Sequence, residues 1–216
     1  LKELSDQAPG TFHHSLQVAN LAEAAANEIG ANTLLVRVGA LYHDIGKLKQ
    51  PKYFSENQIA PDSPHDSLTP KQSAKIIIDH VLDGILIAQK NKLPDRVIDF
   101  IRTHHGTSSV YYFYKKQLEF DPEGTNIEDF QYPGPRPFSK ETAILMMADA
   151  VEAASKSLKA PDIGQLDLFI EKIISGKMEE GQFNASNITL AEIETVKKVL
   201  LRKLINVYQL RIEYPE

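Results

Sequence analysis

The sequence lacks cysteine altogether. It therefore forms no disulfide and offers no thiolate, so any metal ion must be held by nitrogen and oxygen ligands, as iron, manganese and zinc can be. It also lacks any run of about 18 apolar residues and does not start like a signal peptide. A net charge of -5 leaves no overall basic surface for a long nucleic acid. These absences disfavour a disulfide scaffold, a membrane span within these residues and a binder of long nucleic acids.

Apolar residues make up 42% of the 216 residues and charged residues 25%, which is typical of a globular protein. Helical periodicity dominates, and the one strand candidate is a short edge strand at 209–214. The sequence predicts an all-α fold, with helices at about 11–30, 32–46, 69–87, 93–106, 139–151, 163–175 and 189–207. The stretch at 49–70 is predicted to be a long loop that covers a site. The stretch at 106–138 is predicted to be a second long irregular stretch that could cover the site or pair with another copy of the chain.

The first predicted helix places one of two adjacent histidines on its apolar face. His14 is in phase with Val18 and Leu21. His13 lies about 100° away around the helix, on a more polar face. His14 is therefore the candidate ligand, and His13 either supports it or lies at the surface.

A His-Asp pair lies at the end of the second predicted helix. Asn32 is a favoured N-cap for this helix, and Gly46 is predicted to end it. His43 and Asp44 therefore occupy its last turn. Adjacent helical side chains diverge by about 100°, so both reach one metal ion only beyond the helix end, where Gly46 permits the chain to turn. Lys47 then emerges beside that ion.

Other histidines and one aspartate follow the same pattern. His80 is in phase with Ile77 on the third predicted helix. His104 and His105 directly follow a buried apolar stripe at the end of the fourth helix. Asp149 is embedded among apolar neighbours, where a carboxylate without a partner would be very costly to bury.

The candidate ligands thus lie on the inward faces or at the ends of five helices: His14, His43, Asp44, His80, His104, His105 and Asp149. A lone histidine on an apolar face is usually a hydrogen-bonded core residue, but so many converging polar groups would be costly to bury unless metal ions compensated them. Two ions that share Asp44 use all seven. We assign His14, His43, Asp44 and Asp149 to the first ion, and Asp44, His80, His104 and His105 to the second.

Two such ions, about 3.5–4 Å apart, lower the pKa of a bridging water and so produce a hydroxide that attacks phosphorus in line. Lys47 is predicted to neutralise charge that builds up on the phosphate or on the leaving oxygen. The alternative for Lys47 is a solvated side chain after a helix end. Asp44 and Lys47 are therefore the predicted catalytic residues of a binuclear phosphoesterase.

Several further residues carry weaker signals. Tyr111 and Tyr112 open an aromatic segment that could stack on bases, pack locally or contact another copy of the chain. Arg102 could touch a phosphate or pair with Asp99 or Asp95 on the helix surface. The role of His65, in the loop at 49–70, stays open.

The ligand pattern carries a family resemblance. His14, His43–Asp44 with Gly46 and Lys47 after it, and Asp149 resemble the H, HD and D signature of the HD superfamily of metal-dependent phosphohydrolases, and His80 and His104–His105 resemble the extra ligands of its binuclear branch. Its cyclic-di-GMP enzymes continue the double histidine with Glu and a Gly-Tyr-Pro motif, whereas this chain has Gly106-Thr107. This departure, the tyrosine-rich segment 111–114 and the segment 146–152 are similar to the HD domain of seven-transmembrane HD receptors.

The resemblance implies a single HD-type helical domain over 1–216, with a metal-binding core at about 10–160 and a C-terminal helical portion at about 161–216. It further implies hydrolysis of cyclic-di-AMP to linear pApA with two iron or manganese ions. The chain begins without methionine and so looks like a piece of something longer. The resemblance further implies attachment to a membrane segment upstream of Leu1, so we expect the chain to be the cytoplasmic domain of a bacterial membrane protein. A homodimer is a further expectation.

Two alternatives stay open on the residues themselves. One is a binuclear HD phosphatase acting on another nucleotide or phosphoester. The other is a non-catalytic helical sensor that binds a metal ion or a nucleotide.

Overall fold

The structure is a computed structural model and describes residues 1–58 and 63–208. Within these residues it contains nine α-helices and no regular strand, so the predicted all-α fold is confirmed. The helices are α1 (Lys2–Gln7), α2 (Pro9–Glu28), α3 (Thr33–Tyr42), α4 (Pro70–Lys90), α5 (Asp95–Thr103), α6 (Tyr111–Phe120), α7 (Lys140–Ser155), α8 (Ile163–Glu179) and α9 (Leu190–Val207). The candidate edge strand at 209–214 lies outside the described residues.

Two apolar clusters hold the helices together. The larger is built from α2, α3, α7, α8 and α9, with α2 packed against α3, α7 and α9. Four alanines of α2 are fully buried and let the neighbouring helices approach closely: Ala19, Ala22, Ala25 and Ala26. The smaller cluster joins α1 to α4 and α5 through side chains such as Leu4, Ala88 and Ile101. The candidate ligands come from helices that belong to both clusters.

The predicted helix starts are confirmed where a side chain caps the backbone. The side chains of Asn32, Thr69, Ser139 and Thr189 each accept a hydrogen bond from a backbone N–H in the first turn of the following helix. These bonds satisfy donors that a helix start otherwise leaves unpaired, which is why the capping residues are readable in the sequence.

Two helices were not predicted from the sequence. Helix α1 has six residues and one buried side chain, Leu4, which is too little for a periodic pattern. Helix α6 occupies 111–120, inside the stretch predicted to be a loop, and has no buried residue. Because a helix reveals itself in a sequence through its buried stripe, one without such a stripe gives no signal.

The stretch predicted as a loop at 49–70 contains short 3-10 helices at Pro51–Tyr53, Ser55–Asn57 and Pro64–Ser67. The side chain of Glu56 in this stretch reaches back to Thr11 at the start of α2, with 3.0 Å between Glu56 Oε1 and Thr11 Oγ1. The described part of the stretch is therefore fastened over the end of α2 that carries His14.

The predicted role of Gly46 is wrong. Helix α3 ends at Tyr42, and a 3-10 helix at Ile45–Lys49 follows without a positive φ at Gly46. Glycine is needed there because α4 comes so close: a Cβ on Gly46 would lie 1.8 Å from the carbonyl oxygen of His80. Gly46 thus sets the distance between the His43–Asp44 segment and the helix that carries His80.

No helix within residues 1–58 and 63–208 has both the length and the apolar character needed to cross a lipid bilayer.

Candidate metal centre

The seven candidate ligands converge in the structure. Helix α2 supplies His14, the segment after α3 supplies His43 and Asp44, α4 supplies His80, the end of α5 supplies His104 and His105, and α7 supplies Asp149. All are buried except His105, which is partly exposed. Their ligand atoms fall into two groups, and within each group the atoms lie within 4.8 Å of one another.

The first group consists of His14, His43 and Asp149. The Nε2 atom of His14 lies 3.0 Å from Oδ1 of Asp149, and Nε2 of His43 lies 3.6 Å from the same oxygen. The three side chains come from three different elements, so the tertiary fold alone brings them together.

The second group consists of Asp44, His80, His104 and His105. Oδ1 of Asp44 lies 3.3 Å from Nε2 of His80 and 3.6 Å from Nε2 of His104. The two Nε2 atoms of His80 and His104 are 3.1 Å apart. This group therefore presents two imidazole nitrogens and a carboxylate oxygen to one small volume.

Asp44 lies between the two groups. Its Oδ1 faces His80, whereas its Oδ2 lies 3.3 Å from Nε2 of His43 and 3.6 Å from Nε2 of His14. Each oxygen thus addresses one group, which is the arrangement that a carboxylate shared by two ions needs.

The imidazole orientations indicate a cation. The Nδ1 atoms of His43, His80 and His104 each face a backbone carbonyl oxygen, at 2.7, 2.5 and 2.8 Å. A carbonyl oxygen only accepts, so Nδ1 carries the hydrogen and a neutral ring presents a lone pair at Nε2. These lone pairs point at one another and at carboxylates. A divalent cation between them would satisfy all of these acceptors, so the donor set fits such an ion.

Two buried atoms support the same interpretation. Nε2 of His43 and Oδ1 of Asp44 have no hydrogen-bond partner among the described residues. Buried polar atoms normally have a hydrogen-bond partner. These two acceptors lie where the two ligand groups meet, and coordination to a metal ion would supply the partner that each of them lacks.

The buried carboxylates of the centre need positive charge beside them. Burial opposes ionisation of Asp44 and Asp149, yet their cationic neighbours hold both carboxyl pKa values well below the usual range. Burial likewise opposes protonation of His43, but the carboxylates of Asp44 and Asp149 raise its pKa to about 10. Burial, reinforced by neighbouring imidazoles, lowers the pKa of His105. The carboxylates therefore stay ionised and need compensating positive charge, either from protons on His14 and His43 or from metal ions.

Three residues that sequence reasoning missed support the candidate ligands or Lys47. Glu152 Oε2 accepts a hydrogen bond from Nδ1 of His14 at 2.5 Å. Glu56 Oε1 accepts from Nζ of Lys47 at 2.8 Å. The ring of Tyr132 stacks on His105 with 4.1 Å between ring centroids. Glu152 could have been found, because it follows Asp149 by three residues and so shares its helix face; Glu56 and Tyr132 lie in segments whose periodicity gives no such signal.

Lys47 lies beside the carboxylate of the His-Asp pair, and its contact with a phosphate stays a prediction. Its Nζ atom is 2.7 Å from Oδ2 of Asp44. Burial disfavours the charged ammonium, but the carboxylates of Asp44 and Glu56 outweigh this and raise the pKa of Lys47. Lys47 thus keeps its positive charge at the edge of the ligand cluster.

The weaker candidates lie apart from the ligand cluster. Arg102 pairs with Asp99, with 2.5 Å between Arg102 Nη2 and Asp99 Oδ1, and Tyr111 and Tyr112 are exposed in the first turn of α6. In the described part of the chain, no hydrogen bond or ring contact joins these side chains to the ligands, and their contact with a substrate stays a prediction. His13 is exposed on α2, and His65 binds the carbonyl oxygen of Tyr53 at 2.8 Å.

A cavity of about 350 Å³ opens onto the centre. It is lined by His14, Asp44, Lys47, Ser55, Glu56, His105, Asp149, Ala153 and Lys156. Both ligand groups contribute to this lining, so a molecule in the cavity would reach both of them.

Comparison with known proteins gives close matches. The chain is 46% identical over all its residues to the cyclic-di-AMP phosphodiesterases PgpH of Bacillus subtilis (strain 168) and Listeria monocytogenes serotype 1/2a (strain 10403S), and it spans 30% of the length of each. Its structure is similar to the crystal structure of the L. monocytogenes phosphodiesterase PgpH HD domain in complex with cyclic-di-AMP, with a TM-score of 0.93, 46% identity and 96% of each chain covered.

The family model that matches is the HD domain, over residues 11–154. That range contains every candidate ligand, from His14 to Asp149. The match covers well over half of the chain, and it confirms the resemblance predicted from the ligand pattern. The chain therefore belongs to the HD domain family.

Proposed function

We propose that this chain is a two-metal phosphodiesterase domain that hydrolyses cyclic-di-AMP to linear pApA. The observation that carries the proposal is the pair of buried ligand groups with Asp44 between them, which open together onto one cavity. The cyclic dinucleotide is supported by the relatives, because full-length proteins similar to this chain are named cyclic-di-AMP phosphodiesterase and a similar HD domain binds cyclic-di-AMP.

The ligands divide as the geometry suggests. His14, His43, Asp44 and Asp149 would hold the first ion, and Asp44, His80, His104 and His105 would hold the second. When bound, two divalent ions supply Lewis acidity and an activated water for in-line attack on phosphorus. Imidazole and carboxylate ligands suit iron and manganese equally, so we propose two ions of either metal.

The chain's own residues then act on the phosphate. Lys47 holds a permanent positive charge 2.7 Å from Oδ2 of Asp44, so a phosphate seated at the centre would find it within reach of a phosphoryl oxygen. Such a fixed charge stabilises negative charge that develops as the P–O bond breaks. Its second partner, Glu56, fixes the ammonium in place and so limits the reorganisation needed during reaction.

The experiment that tests the function is metal analysis combined with substrate turnover. The protein is reconstituted anaerobically with Fe²⁺ or Mn²⁺, its metal content is measured, and a panel of cyclic dinucleotides and mononucleotides is supplied. We expect two ions per chain and conversion of cyclic-di-AMP to pApA. Turnover of mononucleotides alone would instead identify a phosphatase, and a content near one ion per chain would refute the two-ion assignment.

Asp44→Ala provides the matching variant. Because Asp44 faces both ligand groups, we expect it to lose both ions and all measurable turnover together. Asp129→Ala is the control, because Asp129 forms an exposed ion pair with Lys71, and such a pair contributes little to stability. A non-catalytic sensor would bind nucleotide in the parent protein without converting it.

We also propose that the domain is attached to a membrane segment on the cytoplasmic side and acts as a homodimer. The support for the tether is that the chain spans 30% of the curated relatives it matches. Sedimentation of the purified domain tests the dimer, and localisation of the full-length protein tests the tether.

A further inference from the structure

We propose that Lys156 binds the second phosphate of the cyclic dinucleotide, the one that is not attacked at the metal centre. The inference rests on the proposed function, since it names a contact between that site and its substrate. It is carried by the position, the free donors and the charge of Lys156.

The position of Lys156 follows from the geometry of α7. Asp149, Glu152 and Lys156 are spaced by three and four residues, which places them along one face of the helix. Lys156 is the C-cap residue of α7 and lines the same cavity as Asp149 and Lys47. The backbone of Lys156 is about two helical turns beyond Asp149, and its ammonium reaches back one turn to Glu152.

The ammonium of Lys156 has N–H donors that its contacts within the protein do not use. Its Nζ atom lies 3.0 Å from Oε2 of Glu152, and its side chain is 48% exposed. That same oxygen already accepts the hydrogen bond from Nδ1 of His14. Nδ1 of His14 also lies 3.4 Å from the ammonium, but it cannot accept a hydrogen bond from it while it donates to Glu152. Of the three N–H groups, one is used by Glu152, and among the described residues no other acceptor engages the ammonium, so two remain available to an anion in the cavity.

The two lysines of the cavity differ in what surrounds them. Lys47 is enclosed between the carboxylates of Asp44 and Glu56 and has a 13% exposed side chain. Lys156 stands at the edge with a single carboxylate partner. A cyclic dinucleotide carries two phosphates, of which the metal centre and Lys47 can serve one. Lys156 supplies a positive charge for the other, at the side of the cavity formed by α7.

The kinetic consequence distinguishes the two phosphates. A contact with the phosphate that does not react is equally strong in the bound substrate and in the transition state, so its loss raises KM and leaves kcat nearly unchanged. A contact with the attacked phosphate would strengthen as charge develops, so its loss would lower kcat.

The test compares Lys156→Met and Lys156→Arg with the parent protein, all loaded with the same metal. We expect KM for cyclic-di-AMP to rise about tenfold in Lys156→Met, the loss expected for one partly exposed charged hydrogen bond, with kcat changed less than about twofold. Lys156→Arg should recover most of the parent KM because it restores the charge. Lys159→Met, at an exposed position outside the cavity lining, is the matched control and should keep the parent KM.

Metal content is measured on every variant, because a role in holding Glu152 against His14 would lower it. An unchanged KM in Lys156→Met, a fall in kcat instead of a rise in KM, or a loss of metal would each overturn the inference while parent turnover stands. A lysine at a helix C terminus also interacts favourably with the helix dipole. Loss of that interaction would change the thermal stability of the protein but not KM. If the parent protein does not hydrolyse cyclic-di-AMP, the proposed function fails and the inference fails with it.

Discussion

At the scale of single residues, the candidate ligand His14 depends on a partner, Glu152, that is not itself a candidate ligand. Glu152 accepts from Nδ1 of His14, which fixes the ring so that Nε2 points at Asp149 and Asp44. A carboxylate in this position also makes the imidazole a better electron donor to a metal ion. Glu152 is thus expected to control how tightly the first ion is held.

Glu152→Gln tests this support. Glutamine keeps the shape and the hydrogen bond but removes the charge, so we expect metal affinity at the first group to fall about 10- to 100-fold, as is usual for the loss of such a supporting group. The measurement is the dissociation constant for Mn²⁺ by titration calorimetry. Glu179→Gln, at an exposed position near the end of α8, is the control. An affinity equal to that of the parent would show that Glu152 has no influence on the ion.

Single residues were predictable where burial conflicts with polarity. His14 and Asp149 stand out in the sequence because each falls on an apolar helix face, where desolvation would be costly without a ligand. Glu56 and Tyr132 did not stand out, because they reach the centre from segments without periodicity. Their positions depend on the path of the whole chain.

At the scale of elements, the contact between the 3-10 helix at Ile45–Lys49 and α4 holds the segment of His43 and Asp44 against the helix that carries His80. Gly46 touches the backbone of α4 at His80 and at Gly84, and a Cβ there would overlap both. The segment that carries Asp44 can therefore lie directly against the helix that carries His80. The sequence shows a glycine at position 46 but not why glycine is needed there, because a close approach between distant segments leaves no local sequence pattern.

Gly46→Ala is expected to push these elements apart. Because the obstacle is backbone and cannot rotate away, we expect a loss of about 2–3 kcal/mol in the free energy of unfolding, together with weaker metal binding at the second group. Denaturant unfolding in the presence of metal measures the first effect, and metal titration measures the second.

Gly176→Ala is the matched control for this substitution. A Cβ at Gly176, within α8, would meet nothing within 4 Å, so replacement of a helical glycine should raise the free energy of unfolding by about 0.5–1 kcal/mol. Equal effects from the two substitutions would contradict the close contact at Gly46.

Helices were predictable to the extent that they are buried on one side. The sequence predicted seven helices that have apolar faces or capping residues, with starts within about two residues of the observed ones and several ends three or four residues away: α2, α3, α4, α5, α7, α8 and α9. Helix α6 was not found, because all of its side chains are at least partly exposed and its first turn is aromatic. Its tyrosines were therefore placed in a loop.

At the scale of the whole molecule, protonation, folding and metal binding are coupled through the centre. The pKa of His43 is raised from its ordinary value of 6.5 to about 10 by the carboxylates beside it. In the metal-free protein this shift stabilises the fold fully below pH 6.5, and the stabilisation is lost as the pH rises through about 10. The lowered pKa values of Asp44 and Asp149 act on the acid side, where their stabilisation is lost as the pH falls.

Metal binding should therefore release protons and strengthen with pH. A metal ion takes the lone pair that a proton occupies on His43, so affinity should rise about tenfold per pH unit for each proton displaced, between about pH 6.5 and pH 8.5. Calorimetry in buffers of different ionisation enthalpy counts the protons released. Asp129→Ala should show the same slope as the parent protein. An affinity that stays constant over this range would contradict protonated imidazoles in the metal-free centre.

The bond between His14 and Glu152 joins positions 138 residues apart in the sequence. A first ion held by His14 of α2 and Asp149 of α7 would join positions nearly as far apart, and the entropy cost of bringing two positions together grows with the length of chain between them. In a chain without cysteine, the metal centre would link distant parts of the fold as a disulfide does in other proteins. Stripping the metal would then lower the free energy of unfolding as well as empty the site, because such an ion binds the folded chain and not the unfolded one.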